Sequence, residues 1–211
     1  MSDDPASAGA DPVGPGDPDD PREPAEGFPA RDPRREHDDL IVNRVESTRS
    51  PEALRRLRTE NEAIREGWVA AGVVLDPADR VLVVDLADRG WALPGGTALP
   101  DEPLASTVER EVREETGVAA DAVRPHAIHD EVIAAADGPA ADEASPAEAV
   151  PDTPFRVVHF ELRATESTLP VDLAALGDDD ETVRGVEWRE CLPEGIYGGD
   201  WTERVYDRIV G

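Results

Sequence analysis

The segment GGTALPDEPLASTVEREVREETGV, residues 95–118, gathers six acidic residues. On a helix that turns about 100° per residue, Glu111, Glu114 and Glu115 share one arc at the edge of an apolar stripe. Clustered carboxylates repel one another, and their burial costs free energy unless a cation binds to them. A hard divalent cation with oxygen ligands, Mg²⁺ or Mn²⁺, would satisfy this requirement. The spacing therefore predicts a metal site, and the alternative is a solvated acidic face in an acidic protein.

A helix over residues 103–116 would position these carboxylates. Asp101 is suited to cap its N-terminus, Pro103 to its first turn, and Gly117 to the position just past its end. The apolar stripe that would face the core consists of Leu104, Val108 and Val112. The carboxylates would then lie where this stripe meets solvent.

The composition is strongly acidic. There are 48 Asp and Glu residues against 21 basic residues, all of them arginine, and the formal net charge is −27. At molar salt the Debye length falls to about 3 Å, so the mutual repulsion of such a surface is screened. The pattern resembles proteins from the salt-loaded cytosol of extreme halophiles and predicts a halophilic source. It argues against non-specific binding to nucleic acid or to an anionic membrane.

Targeting and membrane signals are not evident in the sequence. The N-terminus is acidic and proline-rich, the reverse of a signal peptide. The longest apolar runs, such as WVAAGVVL, fall far short of the roughly 20 residues that cross a bilayer. The single cysteine, Cys191, excludes an intrachain disulfide framework. We therefore expect a soluble, cytoplasmic protein.

The composition divides the chain into a tail, an extension and a larger domain. Residues 1–38 carry eight of the 20 prolines and few large apolar side chains, which predicts a disordered acidic tail. Residues 39–67 are predicted to form a helical extension, with its helix over 51–66. The domain spans residues 68–211 and contains an insertion loop, 136–154, that has no basic residue.

Runs rich in β-branched residues and separated by turn residues fill this domain. Strands are predicted at residues 68–75, 81–87, 91–96, 123–135 and 155–164, and in the second half of 178–191. The turn DPADR joins the first two strands as a hairpin. An amphipathic helix is predicted over residues 200–210. Strands flanked by long helices predict an α/β fold, with a mixed sheet that helices cover.

The acidic segment matches a long family motif at every specified position. Gly96 is followed after five residues by Glu102, and after seven more by REVREETGV, residues 110–118. This pattern resembles the Nudix box, and acidic composition alone does not supply its glycines, arginine and aliphatic residues. The resemblance implies a Nudix-type α/β/α sandwich with a central mixed sheet. It also implies hydrolysis of the pyrophosphate bond in a nucleoside diphosphate linked to another moiety.

The resemblance implies a ligand set for Mg²⁺ or Mn²⁺, carried over position by position. Glu111, Glu114 and Glu115 correspond to the metal-binding helix glutamates of the family. The main chain around Gly95 or Gly96 corresponds to a carbonyl ligand. A bound cation neutralises phosphate oxygens and lowers the pKa of bound water. It also reverses the local charge, so that an acidic protein can hold an anionic substrate.

The resemblance gives supporting roles to one arginine and to further glutamates. Arg110 would orient a glutamate, and Glu102 would be structural, through a contact with Arg110 or the loop. The family often adds one glutamate from outside the box as metal ligand or base, and Glu181 is the best candidate, with a solvated loop glutamate as the alternative. The general base stays open between Glu111, Glu114 and a loop glutamate.

The implied substrate is a small-molecule nucleotide, and its identity stays open. The candidates are ADP-ribose or another nucleotide sugar, a dinucleotide cofactor, a dinucleoside polyphosphate, or an oxidised nucleoside triphosphate. The alternative function is a non-catalytic Nudix-fold nucleotide sensor that signals through a partner, although the intact box favours a hydrolase. Many relatives form dimers, so the resemblance also suggests a homodimer. Neither nucleic acid nor a membrane is expected as a partner.

Overall fold

The structure, a computed structural model, describes residues 31–136, 150–170, 172–177 and 182–211. The chain divides into two units, Met1–Asp38 and Asp39–Gly211. In the first unit, the described residues include a short 3-10 helix, Pro33–Arg35, and the side chain of Asp32 caps it by accepting from the Arg34 backbone N–H. The tail that the sequence predicts over residues 1–38 lies outside the described residues as far as residue 30.

The described part of the second unit contains four α-helices and eight strands. The helices are α1 (Pro51–Glu60), α2 (Glu62–Glu66), α3 (Leu104–Thr116) and α4 (Gly199–Val210). The strands are β1 (Ile41–Arg49), β2 (Trp68–Leu75), β3 (Val81–Leu86), β4 (Gly90–Ala92), β5 (Gly95–Thr97), β6 (Ala120–Ala135), β7 (Thr153–Ala164) and β8 (Val183–Arg189). None of the helices in this part is long and apolar enough to cross a membrane.

All eight strands belong to one mixed sheet. The strand order is β1-β6-β7-β2-β3-β4, with β5 paired to β2 and β8 paired to β3. β1 runs parallel to β6 and β2 runs parallel to β7, whereas the other pairs are antiparallel. The predicted α/β fold with a central mixed sheet is therefore confirmed.

The sheet lies between two helical layers. Side chains alternate along a strand, so Ala70 and Val74 of β2 face one side and Val73 and Leu75 face the other. The first pair belongs to the core that includes Leu104, Val108 and Val112 of α3. The second pair belongs to the core that includes Val205 of α4. Hence α3 covers one face of the sheet and α4 covers the opposite face.

The sequence predicts a helical extension over residues 39–67, and this prediction is wrong for residues 41–49. These residues form β1, which pairs with β6 from Ile41 opposite Ala127 to Arg49 opposite Ala135. β1 ends the strand order and none of its side chains is buried, so the segment IVNRVESTR is too polar to be recognised as a strand. Residues 39–211 thus form a single unit that includes this extension.

Three further predictions of element boundaries need correction. The helix expected over residues 51–66 is interrupted at Asn61, which ends α1 and caps α2 through its side chain, because its backbone is extended there. The strand expected over 91–96 is divided into β4 and β5 by Leu93 and Pro94, since proline has no N–H to donate to a ladder. The insertion loop expected over 136–154 overlaps the start of β7, and its residues 137–149 lie outside the described part of the chain.

The turn between β2 and β3 is organised by the buried carboxylate of Asp76. Its oxygens accept hydrogen bonds from the backbone N–H groups of Ala78 and Arg80, both at 2.9 Å. The guanidinium of Arg80 donates two more, at 2.9 and 2.6 Å, and the hydroxyl of Ser167 donates another at 2.7 Å. One side chain therefore closes the predicted hairpin and ties it to the segment after β7.

We expect Asp76→Asn to lower the free energy of unfolding at pH 7 by about 2 kcal/mol, because the amide cannot accept all these bonds or pair with Arg80. Burial alone raises the pKa of Asp76, but the hydrogen bonds from Ser167 and Arg80 outweigh it and lower the pKa to about 2, from 3.8. A lowered pKa stabilises the fold above pH 3.8, and this stability is lost as the pH falls towards 2.

The measurement is denaturant unfolding of wild type and Asp76→Asn in molar KCl between pH 7 and pH 2. The difference between the two proteins should shrink as the pH falls from 4 to 2. Asp79→Asn is the matched control, because Asp79 lies in the same turn, its side chain is 78% exposed, and its ion pair with Arg163 is on the surface. Equal stability of the two variants would show that Asp76 does not hold the turn.

Candidate functional site

Helix α3 carries the predicted site, and its apolar stripe faces the core as expected. Leu104, Val108 and Val112 are all buried. The predicted end is confirmed: Gly117 adopts φ 70° and donates its N–H to the carbonyl of Arg113. The predicted cap is wrong, because Pro103 is the N-cap residue and no side chain caps the helix. The chain enters α3 through Pro103 in an extended conformation, which leaves Asp101 outside the cap position.

Arg110 forms the centre of the site. Its Nε and Nη2 donate to the two oxygens of Glu102, both at 3.0 Å, which makes a bidentate pair. Its Nη1 donates to Glu111 at 2.7 Å and to Glu114 at 2.9 Å. Its Nη2 also donates to the carbonyl of Thr97 on β5, at 3.1 Å. A single cation thus contacts three carboxylates and joins α3 to β5.

Glu102 fixes Arg110 from the loop before α3. Besides the guanidinium, its carboxylate accepts from the N–H of Leu99 at 3.1 Å and from the hydroxyl of Thr107 at 2.9 Å. The hydrogen bond from Arg110 is the main reason that the pKa of Glu102 lies at about 2, well below its usual range. Glu102 is therefore ionised at neutral pH, and the structural contact that the sequence predicts for it is confirmed.

Glu111 and Glu115 lie against the glycines of β5. The side chain of Glu115 is buried, and its Oε2 accepts from the N–H of Gly95 at 2.8 Å. Glu111 is also buried, and a Cβ built on Gly96 would fall 2.4 Å from its Oε2. Only glycine at position 96 leaves room for the carboxylate of Glu111 where it now lies, so Gly96 and Glu111 pack directly against each other.

The three predicted metal ligands, Glu111, Glu114 and Glu115, form hydrogen bonds with two different parts of the protein. Glu111 and Glu114 share the guanidinium of Arg110, whereas Glu115 contacts the backbone of β5. Within the described residues, no three His, Cys, Asp or Glu side chains come close enough to form a metal-binding group. Glu181, the predicted additional glutamate, lies outside the described residues.

The donor chemistry nevertheless fits a hard divalent cation. Three carboxylates and the main chain of β5 offer oxygen ligands, the type that Mg²⁺ and Mn²⁺ prefer. The absence of a side chain at Gly96 lets the carboxylate of Glu111 approach the backbone closely. Arg110 already places positive charge beside two of these carboxylates, those of Glu111 and Glu114.

Two contacts of the site have no signal in the sequence. Thr97 and Gly95 contribute main-chain atoms, so their residue types do not reveal that Arg110 and Glu115 bind there. Glu109, on the same helix, accepts from the N–H of Ala122 at 2.9 Å and so anchors the start of β6. The motif is the signal that the sequence offers for this site, because it requires glycine at position 96 and an arginine directly before Glu111.

Comparison with protein families gives one match over most of the domain. The model of the NUDIX domain matches residues 65–192. No curated protein matches the sequence significantly.

Several solved structures of low sequence identity are also similar. An ADP-ribose pyrophosphatase from Streptococcus suis is 20% identical, with 60% of this chain and 76% of that chain covered and a TM-score of 0.39. A MutT NUDIX hydrolase from Burkholderia pseudomallei is 20% identical, with 67% and 96% covered and a TM-score of 0.42. A MutT protein from Methanosarcina mazei Go1 is 18% identical, with 68% and 95% covered and a TM-score of 0.42.

Proposed function

The chain belongs to the Nudix family of hydrolases, which act on pyrophosphate bonds, and we propose that it cleaves such a bond in a nucleoside diphosphate linked to another moiety, with Mg²⁺ or Mn²⁺ bound. One observation carries this: the glutamates and the arginine of the motif all meet at the contact between α3 and β5. Glu111 lies against Gly96, and Arg110 holds Glu111 and Glu114 together.

The residues that would hold the cation are Glu111, Glu114 and Glu115, with the main-chain carbonyl of Gly96. When bound, a divalent cation supplies charge neutralisation for the phosphate oxygens and lowers the pKa of a water molecule. Glu111 and Glu115 are buried, and they accept hydrogen bonds from the guanidinium of Arg110 and from the N–H of Gly95. Their burial beside β5 supports a cation-binding role over that of a solvated acidic face.

The chain's own residues have three tasks in this scheme. Arg110 orients Glu111 and Glu114 by donating to both, and it does not need to contact the substrate. Glu102 keeps Arg110 in place through the bidentate pair. One glutamate accepts the proton of the attacking water, and Glu111, Glu114 and Glu181 are the candidates for this general base.

The proposed activity is expected to take place at high salt concentration. A formal net charge of −27 opposes the approach of an anionic nucleotide at low ionic strength. At molar salt this repulsion is screened beyond about 3 Å, while contacts at the site itself persist. We therefore infer a protein adapted to the salt-rich cytoplasm of a halophile, acting on small-molecule nucleotides rather than on nucleic acid.

The test is a hydrolysis assay in molar KCl with Mg²⁺, over ADP-ribose, another nucleotide sugar, a dinucleotide cofactor, a dinucleoside polyphosphate and an oxidised nucleoside triphosphate. We expect release of phosphate or of a nucleoside monophosphate from one class, and loss of that activity when the metal is chelated. A folded protein that hydrolyses none of the panel but binds one nucleotide would instead be a nucleotide sensor.

A further prediction concerns the glycine of the motif. Gly96→Ala should lower kcat/KM by about 10²-fold, because the added methyl group would displace the carboxylate of Glu111 from its present position. Gly185→Ala on β8 is the matched control, since its added Cβ would meet only Trp91 at 3.4 Å and Asp85 at 3.7 Å, which are ordinary contacts.

Both glycine variants would be assayed beside wild type, with thermal unfolding in the same buffer. Gly185→Ala should keep wild-type activity. Unchanged activity in Gly96→Ala would mean that the position of Glu111 against β5 does not matter for the reaction.

A further inference from the structure

Strand β1 leaves one long edge of the sheet without a partner strand. Within the described residues, β1 pairs with β6 alone, over the whole length from Ile41 to Arg49, and it ends the strand order. Its outer edge therefore presents backbone N–H and C=O groups to which a further strand can bind. Natural proteins usually protect such an edge with proline, a bulge or charged residues. β1 contains no proline and its register with β6 is continuous, so only its charges could protect it.

The segment that follows β1 turns away from this edge. Helix α1 begins at Pro51, and its buried Leu54 packs with Ile133 of β6 in one core cluster. The helix thus covers the sheet itself and not the outer edge of β1. A strand from another chain can therefore approach β1 without meeting α1.

The charges of β1 suit pairing with a second copy of the same strand. Arg44 and Glu46 are exposed, and neither forms an ion pair with another described residue. They have opposite signs and lie on either side of Val45. In an antiparallel pair centred on Val45, Arg44 of each copy lies opposite Glu46 of the other. One contact then contains two pairs of opposite charge, which stabilise neighbouring strands.

The same charges disfavour the neighbouring registers. Backbone groups that point to one edge alternate along a strand, so two antiparallel copies place a residue opposite itself at the centre of the pair. A register centred on Arg44 would bring two arginines together, and one centred on Glu46 would bring two glutamates together. Like charges directly opposite destabilise a strand pair. The charge pattern therefore selects the register centred on Val45.

The other face of β1 agrees with this register. On that face, Asn43 and Ser47 bind β6 through hydrogen bonds to His129 and Glu131. Val45, which lies between them, is half-buried and belongs to none of the core clusters of the described residues. In the register centred on Val45, this side chain contacts its own copy. β-branched side chains pack well on a pleated surface, so the contact is favourable.

The net charge of the chain favours a contact at this strand. Two copies that each carry a formal net charge of −27 repel one another. β1 has two arginines and one acidic residue, so at this strand the copies do not meet with an excess of negative charge. At molar salt the remaining repulsion is screened beyond about 3 Å.

We propose that two copies of the chain associate through β1, as an antiparallel strand pair centred on Val45 that continues the sheet from one copy into the other. The contact is isologous, because the same strand serves both copies about a two-fold axis. A single strand pair is small beside most permanent interfaces, so the dimer should dissociate measurably on dilution. The inference is independent of the proposed function, since β1 contributes no residue to the candidate site.

Sedimentation equilibrium of the full chain in molar KCl, over a range of concentrations, measures this association. Wild type should form a dimer. The single variants Arg44→Glu and Glu46→Arg should each raise the dissociation constant about 10-fold or more, because each places like charges opposite one another twice. The double variant with both changes exchanges the two charges and should dimerise as wild type does.

Arg113→Glu is the matched control for Arg44→Glu. Arg113 is also exposed but lies on α3, so the variant makes the same change in net charge without altering β1. Its dissociation constant should stay near that of wild type. Thermal unfolding identifies any variant that fails to fold. The double variant keeps the test decisive, because a second charge change would not restore a strand that the first had unfolded.

Disulfide cross-linking tests the register. In a Cys191→Ser background, Val45→Cys should form an intermolecular disulfide on oxidation. Residues directly opposite in an antiparallel pair have Cα atoms about 4.5–5.5 Å apart, which is within the range of a disulfide. Thr48→Cys is the control, because Thr48 is exposed on the same strand. In this register its two copies would lie about 20 Å apart and should not cross-link.

Three results would overturn the assignment. The first is a wild type that stays monomeric up to about 1 mM. The second is a dimer whose dissociation constant is the same in wild type and in the single charge variants, which would place the contact on another surface. The third is cross-linking of Thr48→Cys in preference to Val45→Cys, which would exclude the register centred on Val45.

Discussion

Glu114→Gln is expected to lower kcat/KM for the best substrate by about 10²–10³-fold without unfolding the protein. Glutamine is nearly the same shape and can still accept from Arg110, but it lacks the negative charge with which a carboxylate binds a hard divalent cation more strongly. The side chain of Glu114 is 40% exposed, so the exchange creates little strain. The measurements are steady-state kinetics in molar KCl and titration of the variant with Mn²⁺, which should bind more weakly.

Glu60→Gln is the matched control for this variant. Glu60 forms an exposed ion pair with Arg56 one turn away on α1, as Glu114 does with Arg110 on α3. Loss of an exposed pair of this type changes stability by less than about 1 kcal/mol and should not change activity. Full activity in Glu114→Gln would make the metal assignment wrong, although the family would stand.

Arg110→Lys is expected to have the second largest effect, a loss of about 10²-fold in kcat/KM together with a lower unfolding temperature. The planar guanidinium serves Glu102, Glu111 and the carbonyl of Thr97 at the same time. An ammonium group is a compact point charge and cannot reach all of these acceptors. Glu111 would remain buried with a weaker partner, and its position against β5 would become less defined.

The corresponding control is Arg113→Lys, an exposed position on the same helix.

A double variant, Arg110→Lys with Glu102→Gln, tests whether Arg110 acts by positioning the glutamates of α3 or has a direct role in the reaction. It can do so because Glu102 contacts these glutamates only through Arg110. If Arg110 acts by orienting them, adding Glu102→Gln to Arg110→Lys should cost little more than Arg110→Lys alone. Additive losses in kcat/KM would indicate that Glu102 has an independent function.

Restoration of activity by higher metal concentration is a further readout for Arg110→Lys. If Arg110 only orients the metal ligands, the Arg110→Lys variant should need a higher concentration of Mg²⁺ than wild type to reach its half-maximal rate. A variant whose rate stays low at saturating Mg²⁺ would place Arg110 in contact with the reacting groups instead.

The sequence by itself determined the elements whose pattern is local. Helix α3 begins and ends within one residue of the predicted range, because its apolar period and Gly117 are adjacent in the chain. The motif from Gly96 to Val118 also predicts which glutamates and which arginine form the candidate site. The strands of the domain were recognised for the same reason: β-branched runs between turn residues are visible without knowledge of their partners.

Only the tertiary structure decided how these elements meet. Strand β1 was missed because its stability comes from pairing with β6, far away in the sequence, and not from its own polar composition. Arg110 reaches Thr97 and Glu115 reaches Gly95 across separations of 13 and 20 residues, through main-chain atoms that carry no sequence signal. The rings of His129 and His159 lie near that of Trp201 only because of the register of β6 and β7 and the packing of α4, so no local pattern in the sequence predicts these contacts.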